Sequence, residues 1–214
     1  MKTIKLTFSA LLLSVLFFAC VKHEVIPAPI DQVTLKPYFT GNINGTNVEY
    51  TDDVNGFNGV NSQSEHIVTS PNLSKVIYYC DMTSNIINTS IKVGYGSLDW
   101  DAGALEKPSL EQFNTFFTSL LTPAPIFYGS YPDTGFEVEY KDAFGNTWNS
   151  DKASVNIQTA EFTKIENDSD ATGDYCKFTV EFSCHVYRPT IVLGLPSRDS
   201  IRIENGHFEG WFLR

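Results

Sequence analysis

The chain has 214 residues and a formal net charge of −10; 19% of its residues are charged and 14% aromatic, with 16 Phe and 10 Tyr. That length suits one domain with a substantial core. The acidity argues against partners that attract by negative charge, nucleic-acid phosphates and anionic lipid alike, and the aromatic bias favours pleated, half-buried sheet surfaces.

The first element is a leader. Lys2 and Lys5 precede an apolar run from Leu6 to Ala19, interrupted only by Thr7, Ser9 and Ser14, which is the pattern of a signal peptide. The run ends before Lys22, His23 and Glu24, short of the roughly 20 apolar residues that a membrane span needs. Leu16-Phe17-Phe18-Ala19-Cys20 resembles the lipobox of bacterial lipoproteins, although Phe17 and Phe18 replace the usual leucine and small residue. The resemblance implies that residues 1–19 are removed and that Cys20, acylated, becomes the first residue of a protein held by lipid in the cell envelope, at the outer membrane. Loss of Lys2 and Lys5 takes the formal charge from −10 to −12.

Residues 20–37, with Pro27, Pro29 and Pro37, read as a lipidated tether, and 38–214 as a single β-rich domain. Phe39, Gly41 and Ile43 alternate with polar residues, Asn44-Gly45 supplies a two-residue hairpin turn, and Val48 and Tyr50 continue the pattern on the return. Further strands are expected at 65–69, 75–82 and 88–98. A helix is expected over 109–121: Ser109 and Gln112 form a capping box, Leu110, Phe113, Phe117, Leu120 and Leu121 share one face, and Pro123 and Pro125 stop it.

In the second half Phe136, Val138 and Tyr140 alternate with Glu137, Glu139 and Lys141, and residues 142–146 turn the chain into Thr147-Trp148. A long strand pair, 154–165 and 175–187, is joined by the polar stretch 166–174. Cys176, Phe178, Val180, Phe182 and Cys184 lie on one face of its second arm, with Lys177, Thr179, Glu181, Ser183 and His185 on the other. A final hairpin is expected to turn at Asn205-Gly206. Many short strands and one helix give an all-β chain, an antiparallel β-sandwich or jelly-roll-like domain with a short α-helix near 109–121.

The pattern as a whole resembles the small β-sandwich lipoproteins of Bacteroidota. It does so in the anchor, the strand motif from Phe39 to Gly45, the helix from Ser109 to Leu121, and the closing Ile203-Glu204-Asn205-Gly206-His207-Phe208. The resemblance implies a fold and a location and lends no catalytic residue.

After Cys20 three cysteines remain, Cys80, Cys176 and Cys184. Export permits a disulfide, but an odd number leaves a thiol unpaired in the monomer. Cys176 and Cys184 lie about 26 Å apart on one strand at ~3.3 Å per residue and cannot bond each other. Cys80 with either of them, or three buried thiols, remain the alternatives.

The common catalytic and phosphate-binding signatures do not occur, and no catalytic residue, cofactor or metal site is expected. Glu137 and Glu139 share one strand face, which reads as solvated. Residues 168–173 half-match a calcium loop, but Thr179 stands where that loop needs a bidentate Glu, so a wet hairpin loop is the expectation. His66, His185 and His207 show no metal-ligand spacing. Trp100, between Asp99 and Asp101, and Trp148, near Asn146 and Asn149, combine a flat apolar surface with hydrogen-bonding groups, as sugar-binding sites do. Asp99, Trp100, Asp101 and Trp148 are therefore the candidate ligand residues. The expected function is that of a non-enzymatic envelope lipoprotein whose domain binds or supports a partner. The alternatives are a surface carbohydrate-binding module, a hydrolase with an unrecognised site, and a barrel for an apolar ligand. A glycan or another envelope protein is the expected partner, and nucleic acid is not.

Overall fold

The structure, a computed structural model, describes residues 32–120, 123–126, 135–151 and 158–214. The expected leader and Cys20 lie outside them. The elements in chain order are β1 (Tyr38–Ile43), β2 (Thr46–Thr51), β3 (Phe57–His66), β4 (Ser74–Ser84), β5 (Thr89–Trp100), α1 (Leu110–Thr118), β6 (Gly135–Lys141), β7 (Thr147–Ser150), β8 (Thr159–Asp170), β9 (Gly173–Val192) and β10 (Leu195–Leu213). The domain is all-β and antiparallel, with α1 the single helix among the described residues.

The strands form one sheet in the order β2-β1-β10-β9-β7-β6-β5-β4-β3, with β8 also on β9. The expected two layers thus come from a single sheet that curls over. The branch arises because β9 is 20 residues long: its outer edge pairs with β8 as far as Ser183 and then with β7 at Val186 and Tyr187. The far edge returns to β10, where Asn61 of β3 donates to the carbonyl of Trp211 and Gln63 donates to that of Leu213 at 2.6 Å. A Cβ on Gly59 would come within 2.6 Å of the Trp211 ring, so this approach requires glycine.

Alternation sets what is buried. Cys176, Phe178, Val180, Phe182, Cys184 and Val186 all point inward from β9. They meet an aromatic core in which Phe178 stacks on Phe212 at 4.3 Å and Phe136 lies 5.3 Å from Phe182. The capping box forms as expected: Gln112 N donates to Ser109 Oγ at 3.1 Å and Ser109 N to Gln112 Oε1 at 2.8 Å. Phe113 and Phe117 of α1 are buried against Tyr78 at 5.1 and 5.6 Å, whereas Leu110 stays exposed and Leu121 lies outside the described residues. The three thiols of Cys80, Cys176 and Cys184 are free and buried.

Three expectations are corrected. The tether is shorter than 20–37, because from Val33 the chain is docked: Val33 N donates to Asp170 Oδ2 at 2.7 Å, and Val33 and Leu35 pack on the core. The stretch 166–174 is mostly ladder, since β8 and β9 stay paired to Asp170↔Gly173; Asp168 pairs with Lys177 at 3.0 Å and Asp170 caps the short turn through Thr172 and Gly173. Asn205-Gly206 is a bulge inside β10, marked by a register shift between Ile203 and Gly206. The hairpin turn is instead Leu193-Gly194, joining β9 to β10 with φ of 51° and 78°.

Candidate functional site

The residues expected to hold a ligand are committed to the fold. Trp100, at the end of β5, is 0% exposed and its indole N–H donates to the Leu105 carbonyl at 3.2 Å. Asp99 pairs with Lys75 at 2.5 Å, and Asp101 accepts from Gly103 N at 2.9 Å to shape the following turn. Trp148 on β7 is 7% exposed, donates to Asp142 Oδ2 at 3.3 Å, and is covered by the Arg188 guanidinium 4.7 Å from the ring centroid. A sugar needs a free aromatic face, and neither indole offers one. The sugar-platform assignment of Asp99, Trp100, Asp101 and Trp148 is therefore corrected: burial makes the rings structural, and the two aspartates serve an ion pair and a turn.

Titratable groups gather on the outer face of β4, β5 and β6. One cross-strand row runs Asp81, Lys92, Glu139, and the next runs Tyr79, Gly94, Glu137. Lys92 Nζ is 2.8 Å from Glu139 and 5.2 Å from the centroid of Tyr79. The Tyr79 ring lies across Gly94, where a Cβ would fall 2.4 Å from Cδ1. Tyr79 Oη thereby reaches Glu137 Oε2 at 2.9 Å. Glu137, expected on a solvated face, is 1% exposed. Burial pushes the Asp81 carboxyl up to about 6, against the opposing pull of Lys92, and its Oδ1 is buried without a hydrogen-bond partner. Such a group titrates near neutral pH, where a general base works. Strand alternation in the sequence places these side chains on one face, but gives no sign that the face is partly covered.

Charges on the face of β8, β9 and β10 form pairs. A cleft of about 230 Å³ lies between the docked N-terminal strap and the outer face of β8, β9 and β10, lined by Lys36, Lys164, Glu166, Lys177, Glu209 and Trp211. Lys177 is held by Glu166 at 3.3 Å and Asp168 at 3.0 Å. Beyond it His207 sits between Glu181 (2.5 Å) and Glu209 (3.1 Å). Desolvation lowers this imidazole's basicity, but the two glutamates together outweigh it and raise its pKa.

The most distinctive surface is an arm that sequence patterning does not pick out. Past Tyr187, β9 pairs among the described residues with β10 alone, and β10 leaves β1 at Ile203. Residues 188–201 therefore project as a two-stranded ribbon. Its end exposes Ile191 (79%), Val192 (53%), Leu193 (98%) and Leu195 (69%). Leu193 holds a left-handed backbone, φ 51°, at the turn position that normally takes Asn, and a branched side chain there costs strain of order 1 kcal/mol. Both the strain and the exposure work against stability. At the arm's base Arg188 lies over Trp148 and bonds Asp199 at 3.3 Å, while Arg198 lies 4.2 Å over Tyr187 and pairs with Asp151.

No family model matches the chain, and neither the curated proteins nor the solved structures include a match.

Proposed function

We propose that this chain is an exported cell-envelope protein, anchored to the outer membrane by lipid on Cys20, whose β domain is a non-enzymatic binding module of the kind found among small Bacteroidota lipoproteins. The leader and the Leu16–Cys20 motif support the address. The observation that carries the binding role is the arm: four large apolar side chains exposed at the end of a ribbon, one on a strained backbone, are a surface that stability alone would remove. Feeding cells an alkyne fatty acid tests the address, with labelling expected for the wild type and lost in Cys20→Ser. A photo-crosslinking residue at position 193, compared with one at Phe144, which is 92% exposed on an unrelated turn, tests the binding role. Adducts are expected at 193 and not at 144; equal yields at both positions overturn the reading.

A hydrolase is the second reading, favoured by the raised carboxyl of Asp81 beside Lys92 and Glu139. It requires that Asp81→Asn abolish turnover of a chromogenic ester or glycoside without unfolding the chain.

A further inference from the structure

We infer that the tip of the arm is a membrane wedge, which seats shallowly in the interface of a lipid bilayer. The inference rests on the binding role proposed above and names the partner. The register pairs Val192 with Leu195 and Ile191 with Pro196, and successive pairs on a ribbon face opposite sides. The apolar side chains therefore cover both faces, and Leu193 covers the apex. A protein docking site against one flat surface needs one apolar face, and a ribbon apolar all round is matched to a medium that surrounds it.

Charge follows the same layout. From Pro189 to Ser197 there is no charged residue, and Arg188 and Arg198 bracket that run. Arg198 stands opposite Pro189, four ladder steps from the apex or about 13 Å at ~3.3 Å per residue; both arginines are held by carboxylates, Asp151 and Asp199, so charge begins only at the depth where the headgroup layer lies once the tip reaches the acyl boundary. Tyr187, half-buried under Arg198, is a residue type that favours the same interfacial layer. The acidity of the whole chain acts against anionic surfaces, but the tip carries no carboxylate and its attraction is apolar. Both ribbon edges bear unpaired backbone groups that need water, which limits the wedge to shallow insertion.

The tip lies at the end of β9 remote from Val33, which bonds Asp170 beside the start of that strand. The strand spans about 60 Å at ~3.3 Å per residue. Lipid on Cys20 would supply the local concentration that makes a small wedge effective.

The test uses the full lipidated protein in phosphatidylcholine vesicles that contain doxyl-labelled lipid. An environment-sensitive fluorophore is placed at Ser197→Cys or Phe144→Cys; Cys80, Cys176 and Cys184 are buried and do not compete, and Cys20 is acylated or, in the unlipidated chain, replaced by Ser. Strong quenching is expected at 197, none at 144, and Leu193→Asp should drop the signal at 197 to the level at 144. Unchanged circular dichroism verifies the fold. Equal quenching at both positions, or quenching at 197 that survives Leu193→Asp, overturns the wedge, as does a concentration-dependent dimer that Leu193→Asp dissolves. Failure of Cys20 to take up fatty acid sinks the anchor instead; the unlipidated chain at high lipid concentration then gives the same comparison of 197 with 144. Protein adducts at 193 without quenching keep the binding module and remove the membrane.

Discussion

Asp81→Asn turns the outer-face carboxylate row into a measurable stability difference. Burial raises this carboxyl from 3.8 to about 6. A carboxyl that binds its proton more tightly folded than unfolded makes the fold lose stability as pH rises from about 4 to about 6, with no further loss above. Two pH units at 1.36 kcal/mol each give nearly 3 kcal/mol, and the residual exposure of the side chain trims this to about 2 kcal/mol. Asparagine matches the protonated acid in shape and does not ionise. Asp81→Asn should therefore equal the wild type at about pH 4 and exceed it by about 2 kcal/mol at about pH 7.5. In urea, at a slope of 2–3 kcal/mol/M for a chain of this size, that is a midpoint about 0.8 M higher, read by far-ultraviolet circular dichroism. Other groups titrate alike in both proteins and cancel in the comparison. A midpoint difference that is the same at both pH values, or a wild type that gains on the variant as pH rises, would refute the reasoning.

Trp100→Ala should cost about 3–5 kcal/mol in urea unfolding, because it opens a cavity and strips the Leu105 carbonyl of its donor; a cost below about 1 kcal/mol would return the indole to the surface. The thiols of Cys80, Cys176 and Cys184 should be silent to an aromatic disulfide reagent at about pH 8 until the chain unfolds, since burial pushes Cys80 and Cys184 to about 12 and Cys176 in the same direction. His207 should titrate above 6.5 by proton resonance, with Glu181→Gln bringing it down. The stability that this imidazolium contributes is fully present below 6.5 and disappears as pH climbs through the raised value. A titration at or below 6.5 would show that desolvation, not the glutamates, governs it.

What the sequence made legible was local. Asn44-Gly45, the Ser109 capping box and the inward run from Cys176 to Cys184 each depend on neighbours within one element, and each is found where periodicity puts it. β3 was visible only at its end, because Phe57–His66 carries polar residues at inward positions. Asn61 and Gln63 reach across to carbonyls of β10, a satisfaction that depends on a strand 150 residues away. Asn205-Gly206 has the chemistry of a turn but lies within a strand continuing to Leu195, and the actual turn falls on Leu193, a residue that turn propensity disfavours. The candidate indoles failed for a related reason: an aromatic flanked by aspartates looks the same whether its face is open or filled, and only packing decides. Glu137 illustrates the converse, an acid on the expected face of its strand that is nonetheless covered.

β9 and β10 run from core to arm as one ladder, from Tyr175↔Leu213 to Val192↔Leu195, with a single slip in register between Ile203 and Gly206. The ribbon thus has no loop at its root and behaves as a lever. A load applied at Leu193 is carried down both rails past Cys184 and Val186, and the first place able to yield is that slip, next to Phe182 and Phe208 in the aromatic stack. Mechanical coupling between the far tip and the heart of the molecule is built into the length of two strands.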